Sequence, residues 1–232
     1  MPEPTQVRSM FGRIAGRYDF LNHFLSAGFD KRWRDATVRD AGELKRGRVI
    51  DACSGTGDLA LAYAKEGAQV LGVDFTWEMI HRAGGKARQG EREGALVFAH
   101  GDALRLPAAD DSADVACVSF GIRNVADRRA LMREMSRVVR PGGRVQILEF
   151  SMPPGRILGP LYRFYFTRIL PVLGRMVSKD RDAYEYLPRT VLAWPLPDAL
   201  AQEMREEGLV DVRHRSFTFG VVHLHTGEVP SA

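Results

Sequence analysis

The sequence predicts an α/β protein: a mostly parallel, seven-stranded sheet with helices on both faces and a C-terminal strand hairpin. Three observations predict it. Between residues 48 and 151, short apolar runs alternate with segments of helical period, the pattern of a parallel sheet whose crossovers are helices. Two of the runs, "VACVSF" and "VQILEF", are apolar with almost no alternation, as strands buried on both faces must be. Near the end of the chain, "VDVRHRSFTFG" and "VVHLHTG" read as two strands meeting at Gly220.

The elements follow in order. From Val7 to Asp40 the chain is helical in period, with Phe11, Ile14, Tyr18, Leu21 and Leu25 forming one apolar stripe. "RVIDACSG" is a short strand ending in small residues, and "DLALAYAKEG" a helix closed by Gly67. "AQVLGVDF" is the second strand. "TWEMIHRAGGKARQ" is the helix after it, with Thr76 as N-cap. "ALVFAHGD" and "ADVACVSFG" are strands three and four. "DRRALMREMSRVV" is a helix that "RPGG" should end sharply, and "RVQILEFS" is strand five. A long helical stretch from about Arg156 to Asp180 is broken by Pro171, and residues 197–207 read as another helix.

Composition narrows the class. The 232 residues are 45% hydrophobic and 27% charged, which excludes a disordered chain. The net charge of +4 and the pI near 9.3 come without any tract of consecutive basic residues, so no nucleic-acid arm is expected. Cys53 and Cys117 both fall in predicted strands and read as small buried apolar residues, with no disulfide framework or metal spacing. A reducing cytoplasm is the expectation. The N-terminus lacks an apolar signal core and no window of about 20 residues is free of charge, so neither export by a signal peptide nor a membrane span is expected.

In a sheet of this kind ligands bind beyond the carboxyl ends of the strands. In "DACSGTGDLA", Gly55 and Gly57 permit a tight turn and a close backbone approach, and the following helix offers free N–H groups. Glycines at such a turn also serve packing alone. Asp74, ending strand two, can accept both hydroxyls of an adenosine ribose, or can simply cap the next helix. In "GDALRLP", the Asp102 carboxylate can accept an adenine amino group and the Ala103 N–H can donate to a ring nitrogen. An adenosine-bearing ligand is expected. A nicotinamide dinucleotide and S-adenosylmethionine compete for that place. The chain has little room for the second substrate region a dehydrogenase needs, and a terminal hairpin closing the sheet suits the second cofactor.

At this point the sequence resembles a known family. "MFGRIAGRYDFLNHFLSAG", Trp33-Arg34, "GTGDLAL", "GDALRLP", "SFGIRNVAD", "MSRVVRPGGRVQILEFS", "AYEYLP" and "GVVHLH" are similar to the menaquinone/ubiquinone biosynthesis C-methyltransferases (UbiE/MenG) over almost the whole chain. "GTGD" and "RPGG" are common to many methyltransferases, whereas "FGIRN" and "AYEYLP" are far more specific. The resemblance implies the class I S-adenosylmethionine-dependent methyltransferase fold, with its Rossmann-like sheet, and C-methylation of a polyprenyl quinol ring, demethylmenaquinol or a benzoquinol. It implies cofactor contacts at Thr56, Asp74, Asp102, Ala103 and Ser119. Cys53 and Ser54 depart from the glycine and cysteine that relatives carry there, Ala108 replaces an aromatic, and "WPLPDAL" replaces a more polar stretch. The chain is expected to be one domain over 1–232. Its parts are an N-terminal helical lid (1–45), a cofactor core (46–152), a helical insertion over the substrate site (153–195), and a C-terminal helix and hairpin (196–232).

Arg123 and Asn124 follow strand four, beside the expected cofactor. Methylation at a quinol ring carbon needs a developing phenolate, and a fixed cation or donor stabilises it; these two residues are the candidate catalytic pair. The structural alternative for Arg123 is an ion pair with Asp127. Tyr18 and Asn22 in the lid, and Tyr184 and Tyr186 in "AYEYLP", are candidate substrate contacts or core residues. His223 and His225 share a strand face, but with no third ligand no metal is expected. The absence of an Asx-Pro-Pro-aromatic tetrapeptide after strand four counts against a nucleic-acid substrate. A catalytically silent scaffold binding the same cofactor is the rival from another class. "RILGPLYRFYFTRILPVLGRM" reads either as a helix lining a substrate tunnel or as an interfacial helix at the inner face of a membrane. The oligomeric state is not legible.

Overall fold

The structure, a computed structural model, describes residues 3–90, 92–156, 158–169 and 181–231. Strands β1 (Arg48–Ala52), β2 (Gln69–Asp74), β3 (Leu96–His100), β4 (Ala113–Ser119), β5 (Val139–Phe150), β6 (Val210–Phe217) and β7 (Val222–Glu228) form one sheet. Its order is β3-β2-β1-β4-β5-β7-β6. β1 to β5 are parallel, and β7 runs antiparallel to both its neighbours. The chain turns outward from β1 in both directions, so the switch point lies between β1 and β4, where their loops diverge and leave a crevice.

Side-chain alternation sends the central strands into two cores. Val49 pairs with Val115 and faces one side, with Val70, Leu59 and Tyr63. Ile50 pairs with Ala116 and faces the other, with Ile147, Leu131 and Met135. Helix α4 (Asp58–Lys65) follows β1 and ends at Gly67, φ +86°. Helix α5 (Trp77–Gln89) follows β2 with Thr76 at its N-cap position, and α6 (Arg128–Val138) follows β4.

The N-terminal stretch is helical but divided: α1 (Pro4–Ile14), a single 3₁₀ turn, α2 (Tyr18–Leu25) and α3 (Phe29–Asp40). Gly16 lies in the 3₁₀ turn, and Gly28, at φ +76°, starts α3. The predicted stripe bends with the chain: Phe11, Ile14 and Tyr18 line a cavity instead of packing into the core. "RPGG" ends α6 as expected but is absorbed into β5; the register jumps from Ala113↔Val139 to Val115↔Arg144, so the segment bulges outward. Cys53 lies one residue beyond β1, in the turn and at φ +54°, while Cys117 is in β4.

Helix α7 (Leu158–Phe164) runs into a π turn at Tyr165–Ile169. The expected break at Pro171, and the rest of that stretch to Asp180, lie outside the described residues. Helix α8 (Arg181–Leu192), carrying "AYEYLP", falls within the expected helical insertion (153–195) and continues through Pro188. Helix α9 (Pro197–Glu206) matches the expected segment, with Pro197 in the first turn. The hairpin turns through Thr218–Gly220, all three at positive φ.

Candidate active site

The turn after β1 is built by its glycines. Gly55 sits at φ +55°, and its N–H donates to Asp74 Oδ2 at 2.9 Å; the Thr76 N–H donates to Oδ1 at 2.8 Å. Asp74 therefore ties the turn after β1 to the residue that starts the next helix, and it also lines a cavity of about 220 Å³ at the switch point. Only 7% of Asp74 is exposed, and burial pushes its carboxyl above the ordinary value, against the pull of the Thr76 and Gly55 amides. Asp102, Ala103 and Ser119 line the same cavity, and the Asp102 carboxylate accepts the Leu104 N–H at 2.9 Å.

Two expected residues stand off the wall. Thr56, buried, donates its hydroxyl to Asp19 Oδ1 at 2.5 Å, which ties α2 to the turn. Gly57, φ +81°, serves packing: a Cβ there would overlap the Phe98 ring. Cys53 lines the cavity in its left-handed conformation. Its Cβ would lie 2.6 Å from a Cβ on Gly121, so Gly121 makes room for the cysteine. Burial pushes the Cys53 thiol well up, leaving it protonated.

A second cavity, of about 400 Å³, adjoins the first; Phe11, Tyr18 and Phe120 line both. Its wall is rich in aromatic side chains, Trp33, Phe150, Tyr162, Tyr165 and Tyr186 among them, and Arg123 and Asn22 also line it. "SFGIRN" is the hinge between the cavities. Phe120 takes φ +56°, which kinks the chain out of β4, and Ile122–Asn124 form a 3₁₀ turn. In that turn Arg123 faces the second cavity and Asn124 the first.

Arg123 does not pair with Asp127. Asp127 Oδ1 accepts the Ala130 N–H at 2.9 Å and caps α6. Arg123 Nη1 reaches Glu149 Oε1 at 2.5 Å and the Phe120 carbonyl at 2.7 Å, and the guanidinium lies 5.5 Å from the Phe150 ring centroid. Both side chains are buried, and burial pushes the Glu149 carboxyl up while the Arg123 charge pulls it back. The sequence reading missed Glu149. Its signal was there: a lone acid inside "VQILEF" must have a partner once the strand is buried.

Tyr186 donates its hydroxyl to Asn124 Oδ1 at 2.9 Å and so fastens α8 to the turn. Tyr184 lies on α8, its side chain outside the described residues. Burial pushes the Tyr18 hydroxyl above its ordinary value, so it stays protonated. Among the described residues His23, Asp30 and Asp58 converge within 4.8 Å, but Arg34 reaches both carboxylates and Lys86 binds Asp58 and Asp19. That group is an ion-pair network joining α2 and α3 to the core.

The ubiE/COQ5 methyltransferase family matches residues 2–229. A relative from Thermus thermophilus, named demethylmenaquinone methyltransferase, is 45% identical over 95% of this chain and 100% of its own. One from Syntrophotalea carbinolica, named ubiquinone/menaquinone biosynthesis C-methyltransferase UbiE, is 43% identical over 95% of this chain and 93% of its own. A solved S-adenosylmethionine-dependent methyltransferase from Thermotoga maritima superposes with a TM-score of 0.64. It is 18% identical and covers 96% of this chain and 99% of its own, a likeness of fold alone.

Proposed function

Because the chain belongs to the ubiE/COQ5 methyltransferase family, we propose that it methylates a ring carbon of demethylmenaquinol, giving menaquinol, with S-adenosylmethionine as methyl donor. The observation that carries this reading is the pair of cavities meeting at Phe11, Tyr18 and Phe120, with consecutive residues Asn124 and Arg123 facing one each. The first cavity fits the adenosine cofactor: a buried carboxylate at Asp74, a glycine turn beside it, a second carboxylate at Asp102, and apolar walls at Phe75, Met79 and Leu104. The cofactor supplies a methyl group already activated by a sulfonium.

The protein's part is alignment and charge. The aromatic wall of the second cavity suits a flat quinol ring. As the hydroxyl beside the target carbon loses its proton, that carbon becomes nucleophilic and the oxygen gains negative charge. Arg123 lies at this wall with its guanidinium already fixed by Glu149 and the Phe120 carbonyl, so its donors need no reorganisation. The ring carbon would take the methyl as the methyl–sulfur bond breaks, with the sulfonium leaving as a neutral thioether; the ring hydrogen then leaves as a proton and aromaticity returns. We take α1 and α2 as a lid, since Phe11 and Tyr18 close both cavities and the Asp19–Lys86 pair holds α2 against α5.

The test is transfer of radiolabel from methyl-labelled cofactor to reduced demethylmenaquinone. Cofactor binding without labelling would favour the silent scaffold. The relatives named for both quinones keep a polyprenyl benzoquinol as the second reading. Labelling of the benzoquinol alone would select it.

A further inference from the structure

The outer end of the substrate cavity opens into an apolar groove. Tyr162, Tyr165, Thr218 and Val221 line both the 400 Å³ cavity and this groove of about 440 Å³. Pro153, Leu158, Leu161, Phe164 and Phe219 complete much of its wall. Several of these side chains stand in solvent: Phe219 is 82% exposed, Leu161 60% and Phe164 57%. A contiguous apolar rim of this kind marks an interaction surface.

The hairpin tip is held there, not loose. Thr218 accepts the Trp33 indole N–H at 3.0 Å, and at Gly220, φ +91°, an added Cβ would come within 2.7 Å of Pro154. Between these anchors Phe219 takes φ +57° and points its ring outward. The charge pattern selects the partner. From Ser151 to Ile169 the chain carries Arg156, Arg163 and Arg168 and no acid; all three are exposed, and none is paired with an acid among the described residues. Apolar side chains that can enter hydrocarbon, flanked by unneutralised cations, complement an anionic lipid surface.

We infer that this face docks on the surface of an anionic bilayer, with Phe219, Leu161 and Phe164 entering the interface and the arginines meeting headgroups. The inference deepens the quinol reading, for it puts the mouth of the substrate cavity against the membrane where a polyprenyl substrate resides. No helix among the described residues is long and apolar enough to cross a membrane.

The experiment is co-sedimentation of the full chain with vesicles of phosphatidylglycerol and phosphatidylcholine, against pure phosphatidylcholine, without substrate. Binding to the anionic vesicles is expected, weakened at least tenfold in Phe219→Ser/Leu161→Ser and separately in Arg163→Glu/Arg168→Glu, with melting temperatures close to wild type. Absent binding by wild type, or undiminished binding by both folded variants, overturns the inference. A Phe219-dependent dimer in sedimentation velocity, with no vesicle binding, overturns it in favour of a second copy as the occupant. Wild-type turnover of a tail-less demethylnaphthoquinol in lipid-free buffer reads the other question: turnover without vesicle binding leaves the methyltransferase standing and removes the membrane face, and vesicle binding without turnover does the reverse.

Discussion

In the proposed mechanism Arg123 is the residue on which the chemistry turns, and its surroundings in the structure set how that role is tested. Its partner is Glu149, not Asp127. Removal of a preorganised donor typically costs about a hundredfold in turnover. Arg123→Ala is therefore expected to lower kcat by about that factor with the cofactor Kd unchanged. Arg123→Lys restores only part, because Nη1 alone holds both Glu149 and the Phe120 carbonyl, and an ammonium that kept those bonds would have no second nitrogen to offer the substrate. Glu149→Gln is expected to lower kcat through misplacement of Arg123, again without moving cofactor affinity. Asp127→Ala is the control: loss of the α6 cap costs about 1 kcal/mol of stability and leaves turnover near wild type. Steady-state kinetics with saturating quinol, calorimetry and thermal melts of all four variants separate these outcomes; normal turnover in folded Arg123→Ala ends its role. At Asp74, loss of the carboxylate should weaken cofactor binding by about 2 kcal/mol, roughly 30-fold, by calorimetry. Unchanged affinity there would remove Asp74 from the site.

Among the elements, the C-terminal hairpin carries a titration of its own. The register sets His214 opposite His225, with His223 two residues along the same face of β7. The three rings lie 5.2 to 6.2 Å apart, and Asp198 on α9 meets His214 at 2.9 Å. Burial first, then the neighbouring imidazole, pushes His223 and His225 down from 6.5 to about 4. The unfolded chain thus takes up protons at higher pH than the folded one. Stability these neutral histidines confer is present above about pH 6.5 and is lost progressively as pH falls towards 4. Urea midpoints across that window should fall for wild type and flatten in His223→Gln/His225→Gln. An equally steep acid limb in the variant would place its cause elsewhere. The link from α8 to the site is tested likewise: Tyr186→Phe removes the hydrogen bond to Asn124 Oδ1 and should loosen α8, seen as faster amide exchange over 181–192, without unfolding the sheet.

For the whole molecule, the design is a rigid sheet whose switch point carries one cavity and whose N-terminal and insertion helices enclose another. Polar ties join them, among them Asp19 to Thr56 and Lys86, Arg34 to Asp58, Gln146 and Thr226 to Asp40, and Trp33 to Thr218. A ligand that closes both cavities should stabilise the chain by mass action, about 2.7 kcal/mol at a hundred times its Kd. A rise in melting temperature with cofactor alone, and a further rise with cofactor and quinol together, is the expected outcome. A quinol effect with no cofactor dependence would mean that the two cavities are not coupled.

The sequence by itself determined the sheet and its contents. Continuous apolar runs fix buried parallel strands, glycines fix the turn after β1, and acids at strand ends mark where an adenosine ligand is expected, because these depend on local backbone and burial alone. It also supplied "FGIRN", which resembles the family it proved to match. Only the tertiary structure decided the rest. Glu149 and Arg123 are 26 positions apart and meet because β4 and β5 are neighbours. Phe11, Ile14 and Tyr18 read as one stripe of an expected lid, with Tyr18 a candidate contact; that all three face one cavity, across the 3₁₀ turn at Ala15–Arg17, is set by how the helices pack on the sheet. Asp127 looks like a partner for Arg123 until its carboxylate is seen capping α6. Phe219 is an ordinary strand aromatic in the sequence; three consecutive residues at positive φ turn it outward beside Leu161 and Phe164, and that is a contact set by long-range folding, which local periodicity does not encode.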